Sequence, residues 1–231
     1  MITCSCLATC PAAAQTPGSE IVPEANINAK FLNPELDPQN WVERFEVESR
    51  ELFAARAEIV DSIGLKPGSR VADVGAGTGA FLRPLVDAVG STGRVYAVDI
   101  SPRLVEFVQQ RVQDEKLATV AVILSTADST TLPAGSVSHV VVCETYHHFE
   151  QYPEMLASIR QALVPGGRLV IVDFERIPGV SSDWTLSHVR AGKETVRAEV
   201  EAAGFEFVDE VDLPTLKESY VFRFRVPTSA P

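Results

Sequence analysis

The sequence predicts an α/β fold: an open, doubly wound sheet of seven strands, five parallel plus a C-terminal antiparallel pair, with helices on both faces. Three observations predict it. From Arg70 onward, short apolar runs alternate with amphipathic segments at βαβ spacing. Each run is nearly continuously apolar, as strands covered on both faces are. The last two strand patterns are joined by a link too short for a helical crossover, so they pair antiparallel.

The elements follow in order. Asn33 to Asn40 holds two prolines and reads as a linker. Trp41, Phe45, Glu48, Leu52, Arg56, Ile59 and Ile63 recur at steps of three or four, which predicts one amphipathic helix ending at Gly64. Glu48 and Arg56 interrupt its apolar stripe, either at the stripe's edge or because this helix covers a polar site. "RVADV" is the first strand and "AFLRPLVDAVG" the helix after it. "GRVYAVDI" is the second strand. Ser101 caps the next helix, with Pro102 at its first position. "VAVILST" and "HVVVCET" are the third and fourth strands, "YPEMLASIRQALVPGG" a helix and its stop, and "RLVIVDF" the fifth strand. "KETVRAEVEAAGF" is the last helix, before "EFVDEVDL" and "ESYVFRFRV".

The chain of 231 residues suits one α/β domain, divided as a tail over 1–25, a linker and capping helix over 26–64, and the main domain over 65–231. Its formal net charge of −11 provides no basic face for nucleic acid and favours a small or neutral substrate. No apolar run is long enough to cross a bilayer. Cys4, Cys6 and Cys10 precede the domain, which itself holds only Cys143, so a disulfide framework is not expected. The first 19 residues carry no charge, but they lack the basic start of a secretory signal. A tail on a cytoplasmic protein is therefore favoured, with an export or lipoprotein remnant over residues 1–15 as the alternative. Oligomeric state stays open.

"VADVGAGTGAF" poses the functional question. In an open parallel sheet, ligands bind beyond the carboxyl ends of the strands. Gly75 and Gly77 permit tight turning and close approach of a ligand, and the helix start after Gly79 offers free N–H groups. No Lys-Ser/Thr pair follows, which excludes a phosphate loop of the Walker type. Asp99 ends the second strand, where a carboxylate accepts from both ribose hydroxyls of a nucleoside and repels a 2′-phosphate. Gly75, Gly77 and Ala80 also satisfy the loose dinucleotide pattern, so the ligand remains open on these residues alone.

"VADVGAGTG", "VYAVDIS", "STADSTTLP", "VVVCETYHHF" and "LVPGGRLVIVDF", in this order over about Leu65 to Phe174, resemble the successive motifs of class I S-adenosylmethionine-dependent methyltransferases. The flavour is that of the small-molecule branch containing the ubiquinone/menaquinone enzymes. Arsenite enzymes of that branch use several pocket cysteines, which this domain lacks. The resemblance implies a Rossmann-like fold and S-adenosylmethionine as cofactor. It implies that Asp73, Gly75, Ala76, Gly77 and Gly79 hold the methionine end, with Asp73 near the amino group. It implies Asp99 at the ribose, Ile100 against the adenine, Asp128 accepting from the adenine amino group beside Ala127, and Cys143 and Glu144 bordering the sulfonium.

Methyl transfer needs alignment of the acceptor and exclusion of water, and a base only where the acceptor carries a proton. His147 and His148 in "CETYHHFE" are candidate bases or acceptor ligands, with Tyr146 orienting the acceptor. No metal is expected, because adjacent histidines chelate one ion poorly and no third ligand is close in sequence. In "SSDWTLSHVRAGKE", His188 and Arg190 are candidates for acceptor binding, as are Trp41 and Phe45 on the covering helix. The expected function is methyl transfer to a small-molecule acceptor with S-adenosylhomocysteine as by-product. The alternatives are a non-catalytic adenosyl-cofactor-binding module and an NAD-dependent oxidoreductase.

Overall fold

The computed structural model describes residues 26–48 and 50–228. The expectations for residues 1–25, including Cys4, Cys6 and Cys10, lie outside the described residues.

Alternating apolar side chains in each strand commit to opposite faces and so organise the sheet. The strands are β1 (Arg70–Val74), β2 (Arg94–Asp99), β3 (Val120–Leu124), β4 (Val137–Cys143), β5 (Leu163–Phe174), β6 (Glu206–Glu210) and β7 (Ser219–Arg225). They form one sheet in the order β3-β2-β1-β4-β5-β7-β6. The first five are parallel, and β7 runs antiparallel to both β5 and β6. β5 begins at Leu163, earlier than the expected Arg168, because Leu163 pairs with Val137 ahead of the glycine pair.

Eight helices are described: α1 (Pro38–Phe45), α2 (Glu51–Ala54), α3 (Arg56–Ile63), α4 (Leu82–Val89), α5 (Pro102–Asp114), α6 (Tyr152–Ala162), α7 (Asp183–His188) and α8 (Lys193–Ala202). On one face, Ile59 and Ile63 of α3 and Leu82 and Leu85 of α4 bury Val71, Val141 and Val170. On the other, Leu156 and Ile159 of α6 and Val196 and Val200 of α8 bury Ala72, Val140 and Leu169. Both faces are therefore dry, which accounts for the uninterrupted apolar runs. Ser101 accepts from the Leu104 N–H and Pro102 opens α5, as its capping pattern predicts.

The region before β1 departs from expectation. The single amphipathic helix is three helices, α1 to α3. Glu46, just past α1, is drawn to Arg111 of α5, and Arg50, just before α2, to Glu144 after β4. These tertiary ion pairs take Glu46 and Arg50 out of the helical path, while the side-chain spacing carries across the break. Glu48 and Arg56 pair with each other at 3.2 Å and line no cavity, whereas Trp41, Phe45 and Arg50 of the same segment do cover one, as the second expectation had it.

Among the described residues, no helix is long and apolar enough to cross a membrane.

Candidate active site

Three strands carry an aspartate at or next to their carboxyl ends on the same sheet edge: Asp73 on β1, Asp99 on β2 and Asp173 on β5. Parallel strands place their carboxyl ends together, so one crevice collects all three loops. A cavity of about 530 Å³ opens there, the size of an ordinary ligand site. The turn over 26–32 and α1 form its far wall. Asn28 fastens that turn by donating to the His148 carbonyl at 2.9 Å and to Glu150 at 3.2 Å.

At one end lies the glycine loop. Gly75 has φ +83°, and a Cβ there would stand 2.2 Å from Thr145 Cγ2. Its bareness serves the tight turn expected of it and also the packing of the β4 loop against β1, and Gly75 lines the cavity. Gly77 has φ +55°, and a Cβ there would meet nothing nearer than Phe45 at 3.9 Å, so its position leaves open space in the cavity. Asp99 accepts from the Gly77 N–H at 2.7 Å and from the Ser101 N–H at 2.8 Å. Burial raises the Asp99 pKa to about 6 against those donors. Burial, with the charge of Asp99 added, raises that of Asp73 to about 7. Asp73 Oδ2 and Thr78 Oγ1 are buried, line the cavity and have no hydrogen-bond partner.

Glu144 sits at mid-cavity with φ +44°, a backbone conformation uncommon for a side chain of its size. Its buried carboxylate pairs with Arg50, whose pKa burial lowers to about 10, leaving it charged at neutral pH. Cys143 also lines the cavity, and burial pushes its thiol pKa up, so it stays protonated.

The other end is aromatic and imidazole-rich. A 3-10 turn, Tyr146–His148, brings His147 and His148 to ring centroids 4.4 Å apart. Asp173 holds His147 at both ends: Oδ2 accepts its backbone N–H at 3.0 Å, and Oδ1 pairs with Nδ1 at 2.7 Å. That leaves Nε2 of His147 as the free nitrogen. His148 Nδ1 is buried without a partner. Its pKa falls to about 2, mainly through burial and then the charges of His147 and His188. His188 arrives from α7, 5.3 Å from each of the other two rings, and stacks on Trp184 at 4.6 Å. Burial, followed by the charge of His147, lowers its pKa to about 4.

The cavity thus brings together Asp73, Gly75, Ala76, Gly77, Asp99, Ile100, Ala127, Cys143 and Glu144 with His147, His148, His188, Trp41 and Phe45. Four expected residues lie elsewhere. Tyr146 is 1% exposed in the core and donates to Glu199 at 2.7 Å, because the 3-10 turn points it opposite to the histidines. Arg190 is held by the same Glu199 in a two-point pair at 2.7 and 2.6 Å, over the rings of Tyr146 and Tyr152. Asp128 is exposed and accepts from the Thr126 hydroxyl at 2.6 Å, stabilising its own turn, while Ser125 and Thr126 line the cavity in its place. Gly79 has φ +86° and packs on Leu82 at the start of α4.

The grounds for expecting no metal also change. The two adjacent rings do converge, and a third ring joins them from 40 positions on.

Sequence reasoning missed Arg50, Thr78 and Phe31, all at the cavity, and Asp173, which stands behind His147. Asp173 was findable, as a third aspartate at the carboxyl edge of a parallel strand. Arg50 and Phe31 carry no local signal, since their place depends on how the N-terminal segment folds back.

Comparison with known proteins bears on what occupies this crevice. A family model for a methyltransferase domain matches residues 72–171, from β1 into β5. Over these residues the chain is similar to a methyltransferase domain. Nocamycin O-methyltransferase of Saccharothrix syringae is 30% identical to it over 134 residues, 58% of this chain and 48% of that protein. A ubiquinone/menaquinone biosynthesis C-methyltransferase of Ectopseudomonas mendocina is 29% identical over 121 residues, 52% of this chain and 47% of that protein. The match spans about half the length of either relative. Among solved structures, a SAM-dependent methyltransferase from Aquifex aeolicus superposes with a TM-score of 0.73 at 24% identity, over 83% of this chain and all of that one. The [4+2]-cyclase SpnF superposes with 0.66 at 17% identity, over 77% and 81% of the two chains. At such identities the likeness concerns the fold, which hosts more than one chemistry.

Proposed function

We propose that this protein transfers a methyl group from S-adenosylmethionine to a small, apolar, proton-bearing acceptor, releasing S-adenosylhomocysteine. The observation that carries this reading is one cavity with two unlike ends: acidic groups and bare glycine backbone at one, imidazoles ringed by aromatic side chains at the other.

The acidic end fits the cofactor. Asp73 Oδ2 and Thr78 Oγ1 are buried acceptors lacking partners, a costly arrangement that a ligand ammonium relieves. Gly77 leaves room for a ligand against its backbone, and the remaining lone pairs of Asp99 suit vicinal hydroxyls. Arg50 pairs with the ligand carboxylate while Glu144 anchors it from below. The bound cofactor supplies an electrophilic methyl carbon activated by its sulfonium.

Everything else is the work of this chain. Phe31, Trp41 and Trp184 bind the acceptor's apolar body and exclude water. His147 takes the acceptor proton on Nε2, and Asp173 stabilises the resulting imidazolium through Nδ1. Oxygen, nitrogen and acidic carbon acceptors all satisfy this arrangement, and two of the relatives are named for O- and C-methylation respectively.

The test is to screen a metabolite panel with methyl-labelled S-adenosylmethionine, following S-adenosylhomocysteine product, alongside calorimetry with S-adenosylhomocysteine and NAD. Label should enter an apolar, proton-bearing acceptor, and His147→Ala should reduce turnover by about 10²–10⁴-fold with cofactor affinity unchanged. Binding of NAD in preference to S-adenosylhomocysteine overturns the reading.

A further inference from the structure

We infer that His147, His148 and His188 form a binding site for one divalent ion of the zinc class, open toward the cavity. Three of the chain's four histidines converge here from two elements, a 3-10 turn and α7. One ring nitrogen from each lies within 4.8 Å of the others. Nitrogens on a tetrahedral zinc stand about 3.3 Å apart, given Zn–N bonds of about 2.0–2.1 Å. His188, partly buried at the end of a six-residue helix, is the ligand with room to close that difference.

The surroundings supply what a histidine metal site requires. Asp173 engages Nδ1 of His147 at 2.7 Å, the carboxylate–histidine arrangement that fixes the tautomer and turns the other nitrogen toward a metal. Nδ1 of His148 is buried with no hydrogen-bond partner, a cost that movement onto an ion removes. Trp184 stacked on His188, and Phe31 set edge-on to His148 at 5.4 Å, restrain the rings. Three neutral imidazoles select zinc, cobalt, nickel or copper over magnesium or calcium, which prefer oxygen. Three protein ligands leave a fourth position, and all three histidines line the cavity, which would give a ligand access to it.

The consequence for chemistry rests on the methyl-transfer reading; the binding itself does not. An acceptor hydroxyl in the fourth position loses its proton to solvent more readily than in water. Its oxygen then forms the new bond to the methyl carbon as the carbon–sulfur bond breaks, the electron pair leaving with sulfur. In the loaded protein the ion thereby takes the place of His147 as the group that readies the acceptor.

The experiment uses the full chain with Cys4, Cys6 and Cys10 replaced by serine, so that no tail thiol competes. After chelator treatment it is titrated with Co²⁺ read by its visible absorption, with Zn²⁺ by competition, and with Mg²⁺ as a control. One Co²⁺ per chain is expected, displaced by Zn²⁺ and not by Mg²⁺. His188→Ala, the least disruptive ligand variant, should weaken binding at least about 100-fold, and Asp173→Asn about 10–100-fold. His139→Ala should bind as the parent does, since His139 lies on β4 and contacts Ser138. No Co²⁺ binding by the folded parent overturns the inference, as does equal affinity in His188→Ala. S-adenosylhomocysteine calorimetry on the same samples reports separately on the methyl-transfer reading.

Discussion

Asp73 is the residue whose environment makes the sharpest demand. Its carboxyl is buried, has an unpartnered oxygen and titrates at about 7 in the ligand-free protein. The folded state therefore binds more protons than the unfolded chain between its ordinary value, 3.8, and about 7. The ligand-free protein loses stability as pH rises through that window, by about 1.4 kcal/mol per unit at most. A ligand ammonium reverses the preference, because it favours the ionised carboxylate. Affinity for S-adenosylhomocysteine should accordingly fall about tenfold per pH unit as pH drops below about 7, and more steeply below about 6, where Asp99 also takes a proton. In Asp73→Asn the dependence between pH 6 and 7 should vanish, the affinity at pH 8 should be lower, and the ligand-free protein should melt higher at pH 8. Calorimetry and thermal melts across pH 5.5–8 check all three.

The glycine loop shows how identical residues in one element serve different needs. A Cβ at Gly75 collides with Thr145, whereas one at Gly77 projects into the cavity and meets only Phe45 at 3.9 Å. Gly75→Ala should therefore destabilise the fold by about 3 kcal/mol, combining steric overlap with a left-handed backbone. Gly77→Ala carries only the backbone cost, about 1 kcal/mol, but places a methyl group where the cofactor would lie. Denaturant unfolding and S-adenosylhomocysteine titration of both variants separate these effects; equal stability losses would sink the distinction. The same lesson applies to α1 to α3. Their apolar spacing is continuous through the sequence, yet the Glu46–Arg111 and Arg50–Glu144 pairs break the path, because contacts with α5 and the β4 loop outweigh local helix propensity.

At the scale of the whole molecule, the cavity is walled by segments far apart in the chain, so ligand binding and global stability are coupled. S-adenosylhomocysteine at 100 times its Kd stabilises the folded state by about 2.7 kcal/mol, which should raise the melting temperature by about 5–11 °C. A shift under about 2 °C at saturation would mean that the ligand binds elsewhere or to a partly unfolded state.

By itself the sequence determined the sheet, its parallel core and antiparallel pair, the glycine loop and the Asp73 and Asp99 strand ends. These depend on local periodicity and on the topological rule that parallel strands end at one edge. Which way Tyr146, Asp128 and Arg190 point, and the meeting of His188 with His147, Arg50 with Glu144 and Asp173 with the 3-10 turn, only the tertiary structure decided. Those contacts join residues 26 to 94 positions apart, and at such separations a side chain's partner is chosen by how whole elements pack, about which local spacing carries no information.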